Sequence, residues 1–253
     1  MPDILARQHS ATLRRFAFSK VVVGFDYDGT LAPIAVAPER ARMRPSTRRL
    51  FHAVARCYPC VVISGRAHAD LAARIGSVPV RHLSGNHGME PWGQNAAYAR
   101  SVARWATTLK ACLDGHAGVF VEQKTYSLTV HYRRARDKTR VVRVVNDAVR
   151  TLRGTRVVAG SQAVNVVPRG APNKGVALRR VCRLLACDSA IFVGDDDTDE
   201  DAFGALPPSR LLAVHVGARG PTVAPFRLRN QLAIDDFLEV LRALRSPRHR
   251  DQP

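Results

Sequence analysis

The chain has 253 residues, of which 46% are hydrophobic, and its formal net charge is +18. This size suits one large domain, or a core domain with a smaller one inserted into it. Its apolar runs are far shorter than the roughly 18 residues that a membrane span needs. No signal-peptide apolar region follows the basic N-terminal stretch, so we expect no membrane contact and a cytoplasmic location.

Neither the charge nor the cysteines indicate a function by themselves. A strongly basic chain can bind nucleic acid, but here the arginines are spread along the chain, and their densest groups, at 133–136 and 245–250, are short and contain no stacking aromatic residues. We therefore favour a solvated basic surface over a nucleic-acid partner. Five cysteines form no even framework, which fits a reducing compartment. Cys57 and Cys60 have the spacing of a metal or redox pair, but no second pair accompanies them.

In chain order, the first part of the sequence predicts strands alternating with helices. A helix or arm within residues 1–20 precedes a strand at 21–25, whose branched apolar residues are typical of a buried parallel sheet. A helix at 46–56 with Ser46 as its N-cap follows, then a strand at 60–63 and a helix at 67–75. A further short strand precedes Gly85.

The middle of the chain follows another pattern. The sequence predicts a helix containing Trp105 and Leu109, strands at 119–122 and 127–132, a helix capped by Asp137 that ends near residue 152, and strands at 156–159 and 163–167. Helix, two strands, helix, two strands describe a small α/β layer unlike the surrounding alternation. We interpret residues 98–168 as an inserted domain, and residues 1–97 and 169–253 as the core.

Alternation resumes after the insertion. The predicted elements are a helix at 173–185 capped by Asn173, a strand at 190–193, a short helix ending at Leu206, a strand at 211–216 and a helix at 235–244. Residues 245–253 are predicted to be a disordered tail. The predicted fold is therefore α/β, with a parallel sheet and a second, smaller α/β domain.

Three of these predicted strands end in residues that can carry chemistry. Asp26 follows the first strand, Ser64 follows the second, and Asp195 follows the strand at 190–193. Ligands of an open parallel sheet bind beyond the carboxyl ends of its strands. We therefore expect the three residues to meet at one site.

The residue types at these positions suit the cleavage of a phosphate ester. Asp26 can attack phosphorus and form an aspartyl-phosphate. Asp28, two residues on and able to point the same way from the strand, can protonate the leaving alkoxide and then take a proton from water. The Ser64 hydroxyl and the Lys174 ammonium can bind the phosphoryl oxygens.

A divalent cation would relieve the repulsion between the two close carboxylates, and Mg²⁺ prefers oxygen ligands. The predicted ligands are Asp26, the backbone carbonyl of Asp28, and Asp195. Asp196 or Asp199 would orient a bound water or replace a ligand, and the sequence does not rank these two.

A calcium loop is the alternative interpretation of the acidic run that begins at Asp195. Its aspartates alternate as in such a loop, but Glu200 stands sixth, where Gly belongs, and Leu206 stands twelfth, where a bidentate Glu belongs. The pattern therefore favours the phosphatase site.

These motifs resemble those of the haloacid dehalogenase superfamily of aspartate-based phosphatases, and within it the trehalose-6-phosphate phosphatase family. The superfamily resemblance rests on four motifs: Asp26-Tyr27-Asp28-Gly29-Thr30-Leu31, Ser64-Gly65-Arg66, Lys174 and Gly194-Asp195-Asp196. The narrower resemblance rests on Gly85-Asn86-His87-Gly88, Val121-Glu122-Gln123-Lys124 with His131-Tyr132-Arg133, Pro168 with Asn173-Lys174-Gly175, and the run from Asp195 to Glu200. Together they span about residues 21 to 205.

The resemblance implies a Rossmann-like core and a mobile cap, formed by the inserted segment, that closes over a sugar and excludes water. It implies that Glu122 and Lys124 contact the distal glucose, and that Arg66, Asn86 and His87 lie nearer the phosphorylated sugar. The expected activity is Mg²⁺-dependent hydrolysis of trehalose 6-phosphate. The expected partner is thus a small-molecule phosphosugar, and we expect a monomer or weak dimer.

Three alternatives stay open. Many family members have Glu where Asn165 stands, and cap hydrogen bonds discriminate among sugar phosphates, so a sucrose or mannosylglycerate phosphate is the nearest alternative substrate. Glu122 and Lys124 could instead form a surface ion pair of little consequence. The third alternative is a catalytically inactive protein that binds polyanions, which would retain nucleic acid in a salt-sensitive way and release no phosphate.

Overall fold

A computed structural model describes residues 1–35, 37–92, 96–160, 162–217 and 221–246. Its helices are α1 (Ser10–Phe18), α2 (Pro45–Cys57), α3 (His68–Ile75), α4 (Ala96–Leu113), α5 (Lys138–Arg150), α6 (Lys174–Leu184), α7 (Glu200–Phe203) and α8 (Ile234–Arg245). Its strands are β1 (Val21–Phe25), β2 (Cys60–Ile63), β3 (His82–Ser84), β4 (Phe120–Gln123), β5 (Leu128–His131), β6 (Thr155–Gly160), β7 (Ala163–Pro168), β8 (Ser189–Gly194), β9 (Leu211–Val216) and β10 (Phe226–Leu228). None of the described helices is long and apolar enough to cross a membrane.

The chain divides into two compact units. The first comprises Met1–Gly88 and Asn173–Pro253, and the inner unit comprises Met89–Pro172. The boundaries predicted at residues 98 and 168 both lie within the inner unit.

The first unit is built on a six-stranded sheet with the order β10-β9-β8-β1-β2-β3. All neighbouring strands in it are parallel, and β1 and β8 are buried along their whole length. The continuous apolar runs predicted this arrangement, because a parallel sheet is covered on both faces. The predicted α/β class is confirmed.

Helix α8 packs against both α1 and α2, and α1 also contacts strands β1 and β8. Apolar side chains from these helices, among them Phe16, Phe51 and Phe237, form one core with Val23 and Phe25 of β1. Each fully buried side chain of this kind stabilises the fold by about 1.5–3 kcal/mol. The centre of the sheet, where β8, β1 and β2 lie, is therefore fully buried.

The start of α2 differs from the prediction. The helix begins at Pro45 and its N-cap is Arg44, so Ser46 is not the cap. Proline suits the first helical position because its fixed φ is helical and its missing N–H would have had no partner there. The Ser46 hydroxyl instead donates to Asp235 of the last helix at 2.7 Å.

The C-terminal end also differs from the prediction. Arg245, assigned to a disordered tail, ends α8, and its guanidinium donates to the carbonyls of Ala17, Ser19 and Cys57 at 2.9–3.0 Å. Residues 247–253 of that predicted tail lie outside the described residues. Strand β10 was not predicted, because it has only three residues and depends on pairing with β9.

The inner unit has a four-stranded antiparallel sheet with the order β4-β5-β7-β6. Helices α4 and α5 contribute Trp105, Leu109 and Val145 to a core shared with strand residues such as Leu128. Asp137 caps α5 as predicted, since its side chain accepts a hydrogen bond from the Arg140 N–H at 2.9 Å. The predicted order of helix, two strands, helix and two strands is therefore present in the inner unit.

The first unit consists of two chain segments, and the end of the first segment, Gly88, lies next to the start of the second, Asn173. Gly88 has a φ of +104°, and a Cβ at this position would lie 2.5 Å from the carbonyl oxygen of Asn173. Only glycine permits both this backbone conformation and this close approach.

Candidate active site

The strand order brings the three strand-end residues to one edge of the sheet. Strands β8, β1 and β2 are consecutive neighbours, and they are followed in the chain by Asp195, Asp26 and Ser64. The Asp26 N–H donates to the carbonyl of Val193 on β8 at 2.9 Å, which continues the pairing of β1 and β8 up to the site.

Asp26 lies in the centre of the site and is only 5% exposed. Its Oδ2 is 3.1 Å from the Lys174 ammonium, whereas its Oδ1 is buried and has no hydrogen-bond partner among the described residues. Burial raises the pKa of Asp26 to about 7; Lys174 opposes this rise, and the carboxylates of Asp199 and Asp28 add to it.

Lys174 is the first residue of α6, whose N-cap Asn173 accepts a hydrogen bond from the Val176 N–H at 2.9 Å, as predicted. Its side chain is 1% exposed, and its ammonium also donates to Oδ1 of Asp199 at 2.8 Å. Burial alone would lower the pKa of this amine, but the carboxylates of Asp199 and Asp26 outweigh it and raise the pKa. Lys174 is therefore charged.

Asp199 shapes the acidic loop that follows β8. Its carboxylate is fully buried and accepts the backbone N–H groups of Asp195 and Asp196, both at 3.0 Å, in addition to the Lys174 ammonium. Asp196 caps the next turn by accepting the Thr198 N–H at 3.2 Å. Burial is the largest cause of the raised pKa of each of the carboxyls of Asp195, Asp196 and Asp199.

The acidic cluster fits a hard divalent cation. One carboxylate oxygen from each of Asp26, Asp195 and Asp199 lies within 4.8 Å of the others, and the unpartnered Oδ1 of Asp26 belongs to this group of side chains. These donors are all oxygen atoms, which Mg²⁺ prefers. The carboxylates of Asp28 and Asp196 are not part of the group, so the structure assembles three of the five predicted metal-site residues through their side chains.

The carboxylate of Asp28 is turned towards Arg66. Both of its oxygens accept hydrogen bonds from this guanidinium, Oδ2 from Nε and Oδ1 from Nη2, each at 2.6 Å. Arg66 is 8% exposed and also donates to Asp70 at 2.7 Å. The family resemblance implied that Arg66 lies near the phosphorylated sugar, whereas its guanidinium here contacts an acidic residue of the site itself.

Ser64, Asn86 and His87 lie in two loops that touch. The N–H groups of Asn86 and His87 donate to the carbonyls of Arg66 and Ser64 at 2.7 and 2.9 Å, and a Cβ on Gly65 would lie 2.6 Å from the His87 imidazole. The Ser64 hydroxyl accepts the Arg66 N–H at 3.3 Å, so its own proton can be donated to a ligand.

Glu122 and Lys124 belong to the inner unit, where they form a polar cluster on β4, β5 and β7. Glu122 accepts a hydrogen bond from His131 at 2.8 Å and lies 3.9 Å from the Lys124 ammonium. Lys124 donates to the Thr129 hydroxyl at 3.2 Å, and Thr129 donates to Oδ1 of Asn165 at 2.9 Å. The ion pair weighed as an alternative thus exists within a larger network.

Sequence analysis missed several residues that support the site. Thr30 donates from its hydroxyl to Asp195 at 3.0 Å, and its carbonyl accepts a hydrogen bond from the Gln231 side chain at 2.8 Å. Thr129 links Lys124 to Asn165. Thr30 lies in a quoted motif without an assigned role, and no local signal marks Gln231, because its partner is 201 residues away in the chain.

Comparison with known proteins decides the family. The family model described as Trehalose-phosphatase matches residues 24–229, a stretch that contains both the acidic cluster and the inner unit. The chain belongs to the trehalose-phosphatase family. The resemblance of its motifs to the haloacid dehalogenase superfamily and to this family is thereby confirmed.

Relatives within the trehalose-phosphatase family are similar over most of this chain. A trehalose-phosphate phosphatase of Mycobacterium leprae is 32% identical over 244 residues, which cover 87% of this chain and 57% of that protein. One of Mycobacterium marinum is 35% identical over 233 residues, covering 85% of this chain and 60% of that protein. The chain thus spans less than two thirds of either relative.

A solved structure is similar over nearly the whole chain. It is the C-terminal domain of the C. albicans trehalose-6-phosphate phosphatase, with a TM-score of 0.77 and 25% identity, covering 96% of this chain and 98% of that one. The two-unit α/β architecture is therefore that of the trehalose-phosphatase family.

Proposed function

We propose that this chain is a Mg²⁺-dependent phosphatase that hydrolyses trehalose 6-phosphate to trehalose and phosphate. The observation that carries the proposal is the environment of Asp26. Its Oδ2 is held by Lys174, while its buried Oδ1 has no hydrogen-bond partner in the described part of the chain. An unsatisfied buried acceptor costs about 1–3 kcal/mol, so this atom is set up to bind or react with a ligand.

In the first step, Oδ1 of Asp26 attacks the phosphorus atom and the bond from phosphorus to the sugar oxygen breaks. The product on the protein is an aspartyl-phosphate. Asp28 gives its proton to the leaving alkoxide, which would otherwise be a poor leaving group. The Ser64 hydroxyl and the Lys174 ammonium donate to the phosphoryl oxygens as their charge is redistributed.

In the second step, a water molecule attacks the same phosphorus and the bond to Asp26 breaks. Asp28, now ionised, takes a proton from this water. The step releases phosphate, regenerates the Asp26 carboxylate and returns the proton to Asp28, so the cycle is balanced without another reactant.

Asp26, Asp195 and Asp199 would hold Mg²⁺, together with the backbone carbonyl of Asp28. When bound, the ion neutralises the clustered carboxylates and polarises the phosphoryl group. Among the two residues left unranked, the contacts favour Asp199 as the one that fixes the geometry, because it already binds Lys174 and the loop N–H groups. Asp196 caps the following turn.

The proposed sugar-binding residues are Glu122 and Lys124 in the inner unit, with Asn86 and His87 in the first unit. The names of the relatives favour a trehalose phosphate, and the name of the similar solved structure favours trehalose 6-phosphate. Asn165 offers an amide where a carboxylate is common in the family, so sucrose and mannosylglycerate phosphates are the comparison substrates. We keep the segment at 98–168 as a proposed cap, and the cytoplasmic location and the monomer or weak dimer stay predictions.

The test is a phosphate-release panel over trehalose 6-phosphate, sucrose 6-phosphate and a mannosylglycerate phosphate, with Mg²⁺ and with EDTA. We expect turnover of the first compound, loss of turnover in EDTA, and no turnover by Asp26→Asn. Asp147→Asn is the matched control, because Asp147 is an exposed aspartate of α5 whose side chain is 71% exposed. Mg²⁺-independent turnover, or an active Asp26→Asn variant, would refute the mechanism.

A further inference from the structure

Arg66 uses most of its hydrogen-bond donors on partners within the first unit, which leaves few of them for a substrate. Of its five N–H groups, Nε and one on Nη2 bind Asp28, a second on Nη2 binds the carbonyl of Pro38 at 2.7 Å, and one on Nη1 binds Asp70 at 2.7 Å. Four of the five donors are therefore used within the protein. A guanidinium in this state has little capacity left to hold a sugar.

The guanidinium is itself held from several sides. Asp70 accepts a hydrogen bond from Arg66 and also binds Arg74 at 3.0 Å. The guanidinium carbon lies 5.5 Å from the centre of the Tyr27 ring, and the Arg66 carbonyl accepts the Asn86 N–H. Arg66 is thus a fixed element against which a more mobile side chain can be oriented.

Asp28 is the side chain that needs such an orienting element. It lies just beyond β1, and its side chain is 37% exposed, whereas that of Arg66 is 9% exposed. A half-exposed carboxylate without a partner would rotate freely in water. The two parallel hydrogen bonds of the guanidinium fork fix both the position and the plane of a carboxylate, which a lysine ammonium cannot do.

We propose that Arg66 is a positioning residue that holds Asp28 in the orientation needed for proton transfer, and that it does not bind the sugar. This inference rests on the proposed function.

The experiment separates proton transfer from binding by changing the leaving group. Trehalose 6-phosphate needs its leaving oxygen protonated, whereas p-nitrophenolate leaves without a proton. For Arg66→Lys we expect kcat on trehalose 6-phosphate to fall at least about tenfold, within the roughly 10²–10⁴-fold that a general acid contributes. We expect KM to change less than about twofold, and the single-turnover release of p-nitrophenol to fall less than about threefold, since neither depends on the acid.

Arg74→Lys is the matched control. Arg74 is as buried as Arg66, at 8% exposure, and binds the same Asp70, but none of its contacts in the described chain is with Asp28. We expect Arg74→Lys to lower the rates of both reactions by the same factor, or to lower neither rate. In Arg66→Ala, added guanidinium ion should restore the hydrolysis of trehalose 6-phosphate more than the release of p-nitrophenol.

Each other outcome has a definite meaning. A higher KM with unchanged kcat in Arg66→Lys would assign Arg66 to the sugar, and an equal loss for both leaving groups would make it merely structural; either result overturns the inference and leaves the proposed function standing. If the wild-type protein releases phosphate from neither compound, both proposals fall. If Arg66→Lys does not fold, Asp70→Asn tests the same selectivity, because it weakens the contact that fixes the Arg66 guanidinium. We then expect kcat on trehalose 6-phosphate to fall more than the release of p-nitrophenol, and equal effects on both would overturn the inference.

Discussion

The ammonium nitrogen of Lys174 lies 3.1 Å from Oδ2 of Asp26, and the two side chains are only 1% and 7% exposed. One buried cation thus faces a cluster of buried carboxylates, which also includes Asp199. The stability of the first unit and the chemistry of the site are therefore linked through the same contact.

Lys174→Met removes this cation. Asp26 and Asp199 would then be buried without a charged partner, and the loss of one member of a buried ion pair typically costs about 3–5 kcal/mol. We expect a loss of this size in urea unfolding with EDTA present. Lys110→Met, at an exposed position of α4, should change the free energy of unfolding by less than about 0.5 kcal/mol. A Lys174→Met variant as stable as the wild type would contradict the ion-pair argument.

Gly29→Ala should damage the site more than an ordinary glycine replacement. Gly29 has a φ of +81°, and an added Cβ would overlap the carboxylate of Asp195. Gly154 provides a matched comparison, since its φ is +75° but no atom lies within 4 Å of an added Cβ. The left-handed conformation alone costs about 1–2 kcal/mol for alanine. Thermal unfolding should show that loss in Gly154→Ala and a larger one in Gly29→Ala, which should also lose phosphatase activity.

Stabilisation by Mg²⁺ should increase with pH. Burial raises the pKa of Asp26 from 3.8 to about 7, so its protonated form is favoured in the folded, metal-free chain. The resulting stability is complete below the unfolded pKa and is lost as the pH rises towards 7. Mg²⁺ binds the ionised carboxylates and offsets this loss. Melting curves at pH 5 and pH 7.5, with EDTA or Mg²⁺, should show the larger metal-dependent shift at pH 7.5, and Asp195→Asn should reduce it. A shift that is larger at pH 5 would contradict the assignment.

Lys124→Met should weaken sugar binding without affecting the chemical step. The ammonium of Lys124 donates to Thr129 and lies near Glu122, and a hydrogen bond to a charged group contributes about 1.5–3 kcal/mol. We expect KM for trehalose 6-phosphate to rise at least about tenfold, since each 1.4 kcal/mol is a factor of ten. The hydrolysis of p-nitrophenyl phosphate should not change. If Lys124→Met changed the hydrolysis of both compounds equally, or left KM for trehalose 6-phosphate unchanged, the proposal that Lys124 binds the sugar would be wrong.

Much of the fold could be predicted because the signals are local. The buried runs at β1, β2 and β8 carry branched apolar residues without interruption, and a parallel sheet brings their carboxyl ends together. Asp137 and Asn173 were found as caps because a short polar side chain before an apolar helical pattern is itself a local signal. The proximity of Asp26 and Asp195 followed from the parallel pairing of the buried strands that precede them.

The contacts that were not predicted depend on distant parts of the chain. The fork between Arg66 and Asp28 spans 38 residues, and the hydrogen bond from Gln231 to Thr30 spans 201. At Ser46, a distant acceptor on Asp235 prevailed over the local preference for a cap. Residue type and spacing specify what a side chain can bind, but the partner is chosen by how the elements pack.

The contact between Gly88 and Asn173 has a consequence for protein engineering. Because the backbone leaves and re-enters the first unit at adjoining points, residues 89–172 could be excised and the gap bridged by a linker of a few residues. The same junction could accept the corresponding segment of another phosphatase as an interchangeable cassette. Chimeras made in this way would test directly whether the exchanged segment carries the preference for one sugar over another.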